Sequence, residues 1–452
     1  MGKCPARDGK DFTMTVKVSD VFETLKKSML VDGYPLVVDL ERSHDSWIVD
    51  ARDGVEYLDF FSYFATNPLG HNHPRVNNPE FKARMGEIAI HNPSNSDFYN
   101  TVMADFVDTF RRLAQPAELP HVFWIAGGTL GVENALKAAF DWKVRKNLAK
   151  GYEEELGTKV IHFRNAFHGR SGYTLSLTNT ADQRKTMYFP KFDWPRVSHP
   201  RARFPLEGDN LRATIQSEQH AVQEIERSVE KFGDDIAALI IEPIQGEGGD
   251  NHVRGDFLKE LRRLADEHEF LLIFDEVQTG VGLTGKMWAY QNWDVKPDMV
   301  AFGKKTQVCG FMASDRLNEV DSVFKVSSRI NSTWGGNLVD MARSQQYLQV
   351  IHDEKLVENA RIRGHYLVEH LEELARDFPR LISQPRGRGL MAAFDFPSPE
   401  LREKFIDTAF EKRLIILASG VHSVRFRPAL TVTDAHIDKA VEIIRGTLKS
   451  MS

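Results

Sequence analysis

Cysteine is nearly absent: the chain of 452 residues holds two, Cys4 and Cys309. Thiols so far apart in sequence exclude a disulfide framework or a cysteine-bound metal cluster, and both read as free thiols of a reducing compartment, the cytoplasm. A surplus of positive charge is also missing. Lysine and arginine number 58 against 64 aspartates and glutamates, a net charge of -6, which offers no broad positive field to nucleic acid or an anionic membrane. The opening residues MGKCPARDGKDFTMTVK mix both charges and lack the apolar stretch of a secretory signal. Ala6 stands where N-myristoylation wants Ser or Thr, so this segment reads as a loose tail. Repeats and low-complexity linkers are absent. GRGL and RGRG lack a strand–GxGxxG–helix setting, so they read as turns, and an NAD-linked dehydrogenase is excluded. His71 and His73 in LGHNHP have no third ligand at suitable spacing, and no metal is expected.

What remains is an ordinary globular composition, 42% hydrophobic and 27% charged, in a chain long enough for a large domain and a smaller one. Between about residues 120 and 305, short apolar runs alternate with amphipathic stretches, the pattern of a mostly parallel sheet covered by helices. The runs are His121–Ala126, Lys159–Phe163, Ile236–Ile241, Phe270–Phe274 and Met299–Phe302. Phe257, Leu258, Leu261 and Leu264 recur at helical intervals and predict a crossover helix. After Asn337 the pattern is one long helical stretch, then RGRGLMAAFDF and a closing helix capped by Asp434. Residues 76–338 read as the large domain and 339–452 as a smaller α+β domain, to which residues 1–75 contribute.

In parallel sheets chemistry collects just past the strand ends. FLLIFDEVQTG carries a buried strand into Asp275. Val277 returns to the same face, where it can pack on a flat ring, and Gln278 can reach a ring hydroxyl. Twenty-nine positions later, MVAF ends in Gly303 and then Lys304 and Lys305. If strand geometry continues, the two lysines point to opposite sides, so one enters the cleft and the other is a solvated neighbour. WIAGGTLGVENALKAAF gives a strand, a glycine turn and a helix N-terminus, with Gly128 and Thr129 placed to cradle an anion. NAFHGRSGYT offers Phe167 as a flat apolar surface and Arg170 as a fork for a carboxylate. His168 reads as a ring orienter or a core residue. INSTWGGN sets Asn331 and Thr333 in a polar turn that serves either a ligand or the start of a helix. An amine for an aldehyde, an acid for a pyridine nitrogen, an anion cradle and stacking surfaces are together what pyridoxal 5'-phosphate (PLP) requires.

In order along the chain, GGTLGVENALKAA, FHGR, EPIQGEGG, FDEVQTGVGLTG, FGKK, STWGGN and VRFRPAL resemble the class III aminotransferases, and DGVEYLDFFSYFATNPLGHNHP is similar to the family's early segment. The resemblance implies a fold-type I PLP transferase, an α/β protein with a mostly parallel seven-stranded sheet and a smaller α+β domain. It makes Lys304 the cofactor lysine, Asp275 the partner of the pyridine nitrogen and Phe167 the stacking ring. Gly128 and Thr129 then fall in the phosphate loop. Thr333 matches the threonine that reaches the neighbouring subunit's phosphate, which implies a homodimer with shared active sites.

FGKKTQVCG lacks the family's usual glycine-rich stretch after the lysine, and GGTLGVEN lacks the acid before GVE. With SSRINSTWGGN, these departures resemble the branch that moves the side-chain amine of L-lysine to 2-oxoglutarate. Such an enzyme must accept lysine, with no carboxylate beside the reacting carbon, and glutamate, which has one there. The resemblance suggests Arg170 for the distal carboxylate, Arg425 for the one next to glutamate's reacting carbon, and Asn331 for an added hydrogen bond. It also suggests Glu247 as a carboxylate that pairs with Arg425 while lysine is bound and swings away for glutamate.

Overall fold

A strand buried on both faces reads as an unbroken apolar run, and such runs form the centre of the structure, a computed structural model that describes residues 16–452. Cys4 and the expected N-terminal tail up to residue 15 lie outside the described residues. The main sheet has seven strands: β1 (His121–Ile125), β2 (Lys159–Phe163), β3 (Arg196–Val197), β4 (Ile236–Ile241), β5 (Leu271–Asp275), β6 (Met299–Phe302) and β7 (Cys309–Ala313). Their spatial order is β1-β7-β6-β5-β4-β2-β3. Only β7 runs against its neighbours. The chain leaves β6 at Phe302 and enters β7 at Cys309, too short an interval for the crossover a parallel strand needs.

Alternation along the strands divides the core between the two faces. Leu271 and Ile273 pack with Met299 and Ala301 under the helix Gly128–Ala149, through Val132, Ala135 and Trp142. Leu272 and Phe274 pack with Val300 and Phe302 on the opposite face, in one cluster with Phe257, Leu258, Leu261 and Leu264 of the helix Gly255–Glu267. Burying each of those large side chains contributes about 1.5–3 kcal/mol. Gly131 lets the first helix approach the sheet closely, since a Cβ there would lie 2.7 Å from the Gly310 carbonyl oxygen.

The early and late parts of the chain meet. Glu56–Asp59 pairs antiparallel with Trp47–Val49 and parallel with Leu414–Ile415. A separate four-stranded sheet joins Ser383–Arg388, Met391–Asp395, Ser423–Phe426 and Leu417–Ser419 in that order. The RGR of the expected turn therefore lies in a strand, and the chain reverses only at Gly389 and Leu390. The single long helix expected after Asn337 is two, Leu338–Asp353 and Leu356–Asp377, interrupted where Lys355 takes a left-handed φ of 54°. Thr433, not Asp434, caps the last helix, its side chain accepting from the His436 N–H.

Candidate active site

The C-terminal ends of β1, β2, β4, β5 and β6 open on one cavity of about 200 Å³, lined among others by Thr129, Phe167, His168, Glu242, Asp275, Val277 and Lys304. It shares Phe167, Glu247, Gln278 and Lys304 with a wider cleft of about 770 Å³, to which Phe64, Arg170, Thr180, Lys185 and Arg425 belong. A surface groove of similar size, about 780 Å³, contains none of the strand-end residues.

Asp275 closes β5 level with Ala301 of β6, three residues before Lys304. Its Oδ1 accepts the Val277 N–H at 3.0 Å, and its Oδ2 lies 2.8 Å from His168 Nδ1. A carboxylate beside an imidazole nitrogen requires that nitrogen to carry the proton, which sets the tautomer. Both side chains are buried, so this pair aims the carboxylate rigidly. Glu242 closes β4 in the same way and accepts the Phe167 and Gly246 N–H groups at 2.9 Å each. Burial pushes its carboxyl up to about 7, with Asp275 adding to the effect and His168 opposing it.

The lysine pair does not continue the strand. Lys304 has a left-handed φ of 53° and begins a short 3-10 turn, Lys304–Thr306. Burial lowers its amine from the ordinary lysine range and nearby Arg425 lowers it further, while Asp275 and Glu242 oppose both. The neutral, nucleophilic amine is thereby favoured. Lys305 was expected in solvent and is instead fully buried, donating to the Gln278 carbonyl at 2.7 Å. The tight turn after Gly303 sends it into the protein between backbone carbonyls.

Gly127 turns the chain with φ 96° into the helix that Gly128 begins. A Cβ on Gly128 would stand 2.8 Å from Val277 Cγ1, so the helix start and the β5 loop fit against each other only because Gly128 has none. Thr129 Oγ1 lies 2.8 Å from Thr174 Oγ1. Exposed Arg170 lines the wider cleft. Gln278 Oε1 accepts from Arg427 Nη2 at 2.9 Å and from Arg425 Nη1 at 3.3 Å. Arg427 is anchored in turn by the fully buried Asp250.

Arg425 comes from the four-stranded sheet, is buried, and is lowered to about 10, first by burial and then by Arg427. The ion pair expected between Glu247 and Arg425 is not formed. Glu247 Oε1 instead accepts from Lys185 Nζ at 2.6 Å and Thr180 Oγ1 at 2.7 Å. These two donors come from the segment between β2 and β3, beyond the helix Gly172–Leu177, and occupy the carboxylate in place of Arg425. Asn331 and Thr333 are exposed in a loop that lines neither cavity of this chain. His71 and His73 do not converge: each takes its own carboxylate, Asp59 and Glu354, both at 3.2 Å.

The profile of the family described as Aminotransferase class-III matches residues 29–448. The chain belongs to the class-III aminotransferases. L-lysine-epsilon aminotransferase of Mycobacterium tuberculosis is 53% identical over 430 residues, 95% of each chain. The enzyme of that name from Streptomyces clavuligerus is 44% identical over 458 residues, 100% of this chain and 99% of its own. A solved structure, the lysine aminotransferase from M. tuberculosis in the internal aldimine form, superposes with a TM-score of 0.94 at 51% identity, covering 97% of this chain and 100% of that one.

This aminotransferase is PLP-dependent, and the strand-end residues suit the cofactor. A lowered amine, an aimed carboxylate, an apolar ring and a helix N-terminus face one cavity. Three contributors escaped the sequence, Glu242, Phe64 and Lys185, and a fourth was read without a definite role. His168 was left between orientation and core packing, although its place after β2 is the same strand-end signal as that of Asp275. Glu242 also ends an apolar strand and carried that signal. Phe64 reaches the cleft through four successive left-handed residues, Ser62–Ala65, each costing roughly 1–2 kcal/mol. Asp59, accepting from the Phe61 and Ser62 N–H groups, and the Arg427 carbonyl, accepting from Ser62 Oγ at 2.6 Å, hold that turn. Lys185 had no local signal at all.

Proposed function

We propose that this aminotransferase moves the ε-amino group of L-lysine to 2-oxoglutarate, giving L-glutamate and 2-aminoadipate 6-semialdehyde, which cyclises to 1-piperideine-6-carboxylate. The observation that carries this is one cleft lined by both Arg170 and Arg425, with Glu247 in the same cleft on Lys185. The near full-length likeness to lysine ε-aminotransferases supports it.

PLP, when bound, supplies an aldehyde that condenses with the amine and a ring that withdraws electrons from the reacting carbon. Lys304 would hold that aldehyde through its Nζ and yield it to the substrate amine. Its freed Nζ then takes the proton from the carbon that bears the amine. Asp275, aimed by His168, would hold the pyridine N–H by a charge-assisted hydrogen bond. Phe167 and Val277 would flank the ring, Gln278 would serve its hydroxyl, and Gly128 and Thr129 would hold the phosphate. Arg170 holds the distal carboxylate of either substrate, and Arg425 the carboxylate next to glutamate's reacting carbon.

Lysine brings no such carboxylate, so Glu247 covers Arg425 during that half-reaction and leaves it for the other. Thr333 and Asn331 serve the neighbouring site of a homodimer, Thr333 at the phosphate and Asn331 near the lysine carboxylate. Exposed Phe98, Tyr99 and Trp334 lie on segments tied together beside that loop, where Ser96 Oγ donates to the Ser332 carbonyl at 2.9 Å and the Asn95 N–H to the Trp334 carbonyl at 3.3 Å. They form an apolar surface suited to a second copy. Free cysteine chemistry accords with the cytoplasm.

Single-turnover absorbance changes of the PLP-loaded protein, recorded with L-lysine, ornithine, 4-aminobutyrate and 2,4-diaminobutyrate, test the donor. Lysine should react fastest, and mass spectrometry should find the cyclic imine. A faster reaction with another amine reassigns the substrate. Glu247→Ala should lower the rate with lysine relative to that with glutamate.

A further inference from the structure

The backbone around Glu247 is pinned while its side chain has a choice. The Glu247 carbonyl accepts from the Gly420 N–H at 2.8 Å, the preceding Gly246 carbonyl from Ser419 Oγ at 2.6 Å, and the Gly246 N–H is held by Glu242. Only side-chain torsions remain to move the carboxylate. Among the basic side chains that line its cleft are Arg425, from the separate sheet, and Lys185, from the segment between β2 and β3. Here the carboxylate sits with Lys185 and Thr180, and its second oxygen, Oε2, is buried without a partner. Arg425 Nε is likewise buried and unpartnered among the described residues; the guanidinium donates to the Gln278 oxygen at 3.3 Å and lies 6.0 Å from the Phe64 ring, with Arg427 adding positive charge and Asp250, Glu247 and Glu242 negative charge around it. A buried guanidinium in that condition invites a carboxylate from outside.

We infer that Lys185 and Thr180 form a built receptor for the Glu247 carboxylate in its withdrawn position, holding the site open to dicarboxylates. The inference rests on the charge-switch reading of Glu247 and adds the residues that set its balance. Thr180 is itself buried and held by its loop: its Oγ1 accepts the Asp182 N–H at 3.3 Å, and its carbonyl accepts from Gln183 Nε2 at 3.0 Å. Lys185 ends the short turn Gln183–Lys185, which Asp182 caps through the Arg184 N–H. The Thr180 hydroxyl and the backbone that carries Lys185 are thus held independently of the carboxylate. An exposed lysine–glutamate pair is ordinarily worth little. This one competes directly with a second cation, so small changes in it shift the populations of two states with different substrate preference. Lys185 and Thr180 are positioning residues, and substrate need never touch them.

Lys185→Met removes the cation that holds the carboxylate here and should shift it toward Arg425, the masked state. KM for 2-oxoglutarate should rise about tenfold while KM for L-lysine holds or falls. Binding of glutarate, an unreactive dicarboxylate, measured by calorimetry on the PLP-loaded protein, should weaken by the same factor. Lys185→Arg should restore both values, and Thr180→Val should shift them in the same direction by less. In a Glu247→Ala background, Lys185→Met should change nothing further. Equal changes in both half-reactions, an unmoved glutarate affinity, or the same loss persisting without Glu247 would overturn the receptor. Glu247→Ala alone separates the two levels. If it leaves the lysine-to-glutamate preference intact, the switch fails together with its receptor; if it shifts that preference and Lys185→Met does not, only the receptor fails.

Discussion

Replacing His168 by phenylalanine removes the one side-chain donor to Asp275 among the described residues while keeping a flat ring in its place. The bond is 2.8 Å long between two buried groups, and a hydrogen bond to a charged partner is worth about 1.5–3 kcal/mol. The Val277 N–H still holds Oδ1 at 3.0 Å, so the carboxylate stays in the cavity but loses half of its fixation. Because 1.4 kcal/mol is about tenfold in an equilibrium, cofactor affinity should drop about 10- to 100-fold. Titrating the apo-protein with PLP and following tryptophan fluorescence gives that constant, and kcat at saturating cofactor gives the catalytic share. His168→Asn, which returns a donor, should recover part of the loss. A dissociation constant unchanged in His168→Phe would refute the claim that Asp275 grips the cofactor through this relay.

Lys304→Ala should lose the visible absorbance of bound PLP, whereas Lys305→Met should retain it. The latter leaves the Gln278 carbonyl unpaired inside the protein, at about 1–3 kcal/mol in denaturant unfolding, and absorbance surviving in Lys304→Ala would assign the cofactor to the other lysine. Glu242→Gln should change how stability depends on pH. The folded carboxyl is raised to about 7 from an ordinary value of 4.5, so between those values the native protein binds more protons than the unfolded chain, and its stability declines as pH rises. The glutamine variant lacks that decline. Its unfolding free energy should gain on the native protein by about 3 kcal/mol between pH 4.5 and 7; parallel curves for the two proteins would count against a protonated Glu242.

Local pattern carried the sheet because a central parallel strand is apolar along its whole length. β4, β5 and β6 announce themselves in this way, and the acid or lysine after each stands out against its apolar run. Two strands escaped. Arg196–Val197 is two residues long, too short for any period, and Cys309–Ala313 follows the lysine turn so closely that its reversed direction depends on space beside β6. The break at Lys355 was hidden because both helices keep the same apolar rhythm through it.

The amino-acid order by itself determined the class of chemistry. Gly128, Asp275 and Lys304 are each tied to the end of a strand or the start of a helix that local sequence specifies, and their sheet positions follow. What the tertiary structure alone decided is how charges from distant segments share one cleft. Lys185, Glu247 and Arg425 come from a loop after β2, a loop after β4 and a separate sheet, and no spacing along the chain encodes which cation the carboxylate takes. The same holds for Lys305. One φ angle at its neighbour buries it, and burial is a property of the folded surroundings rather than of the residue.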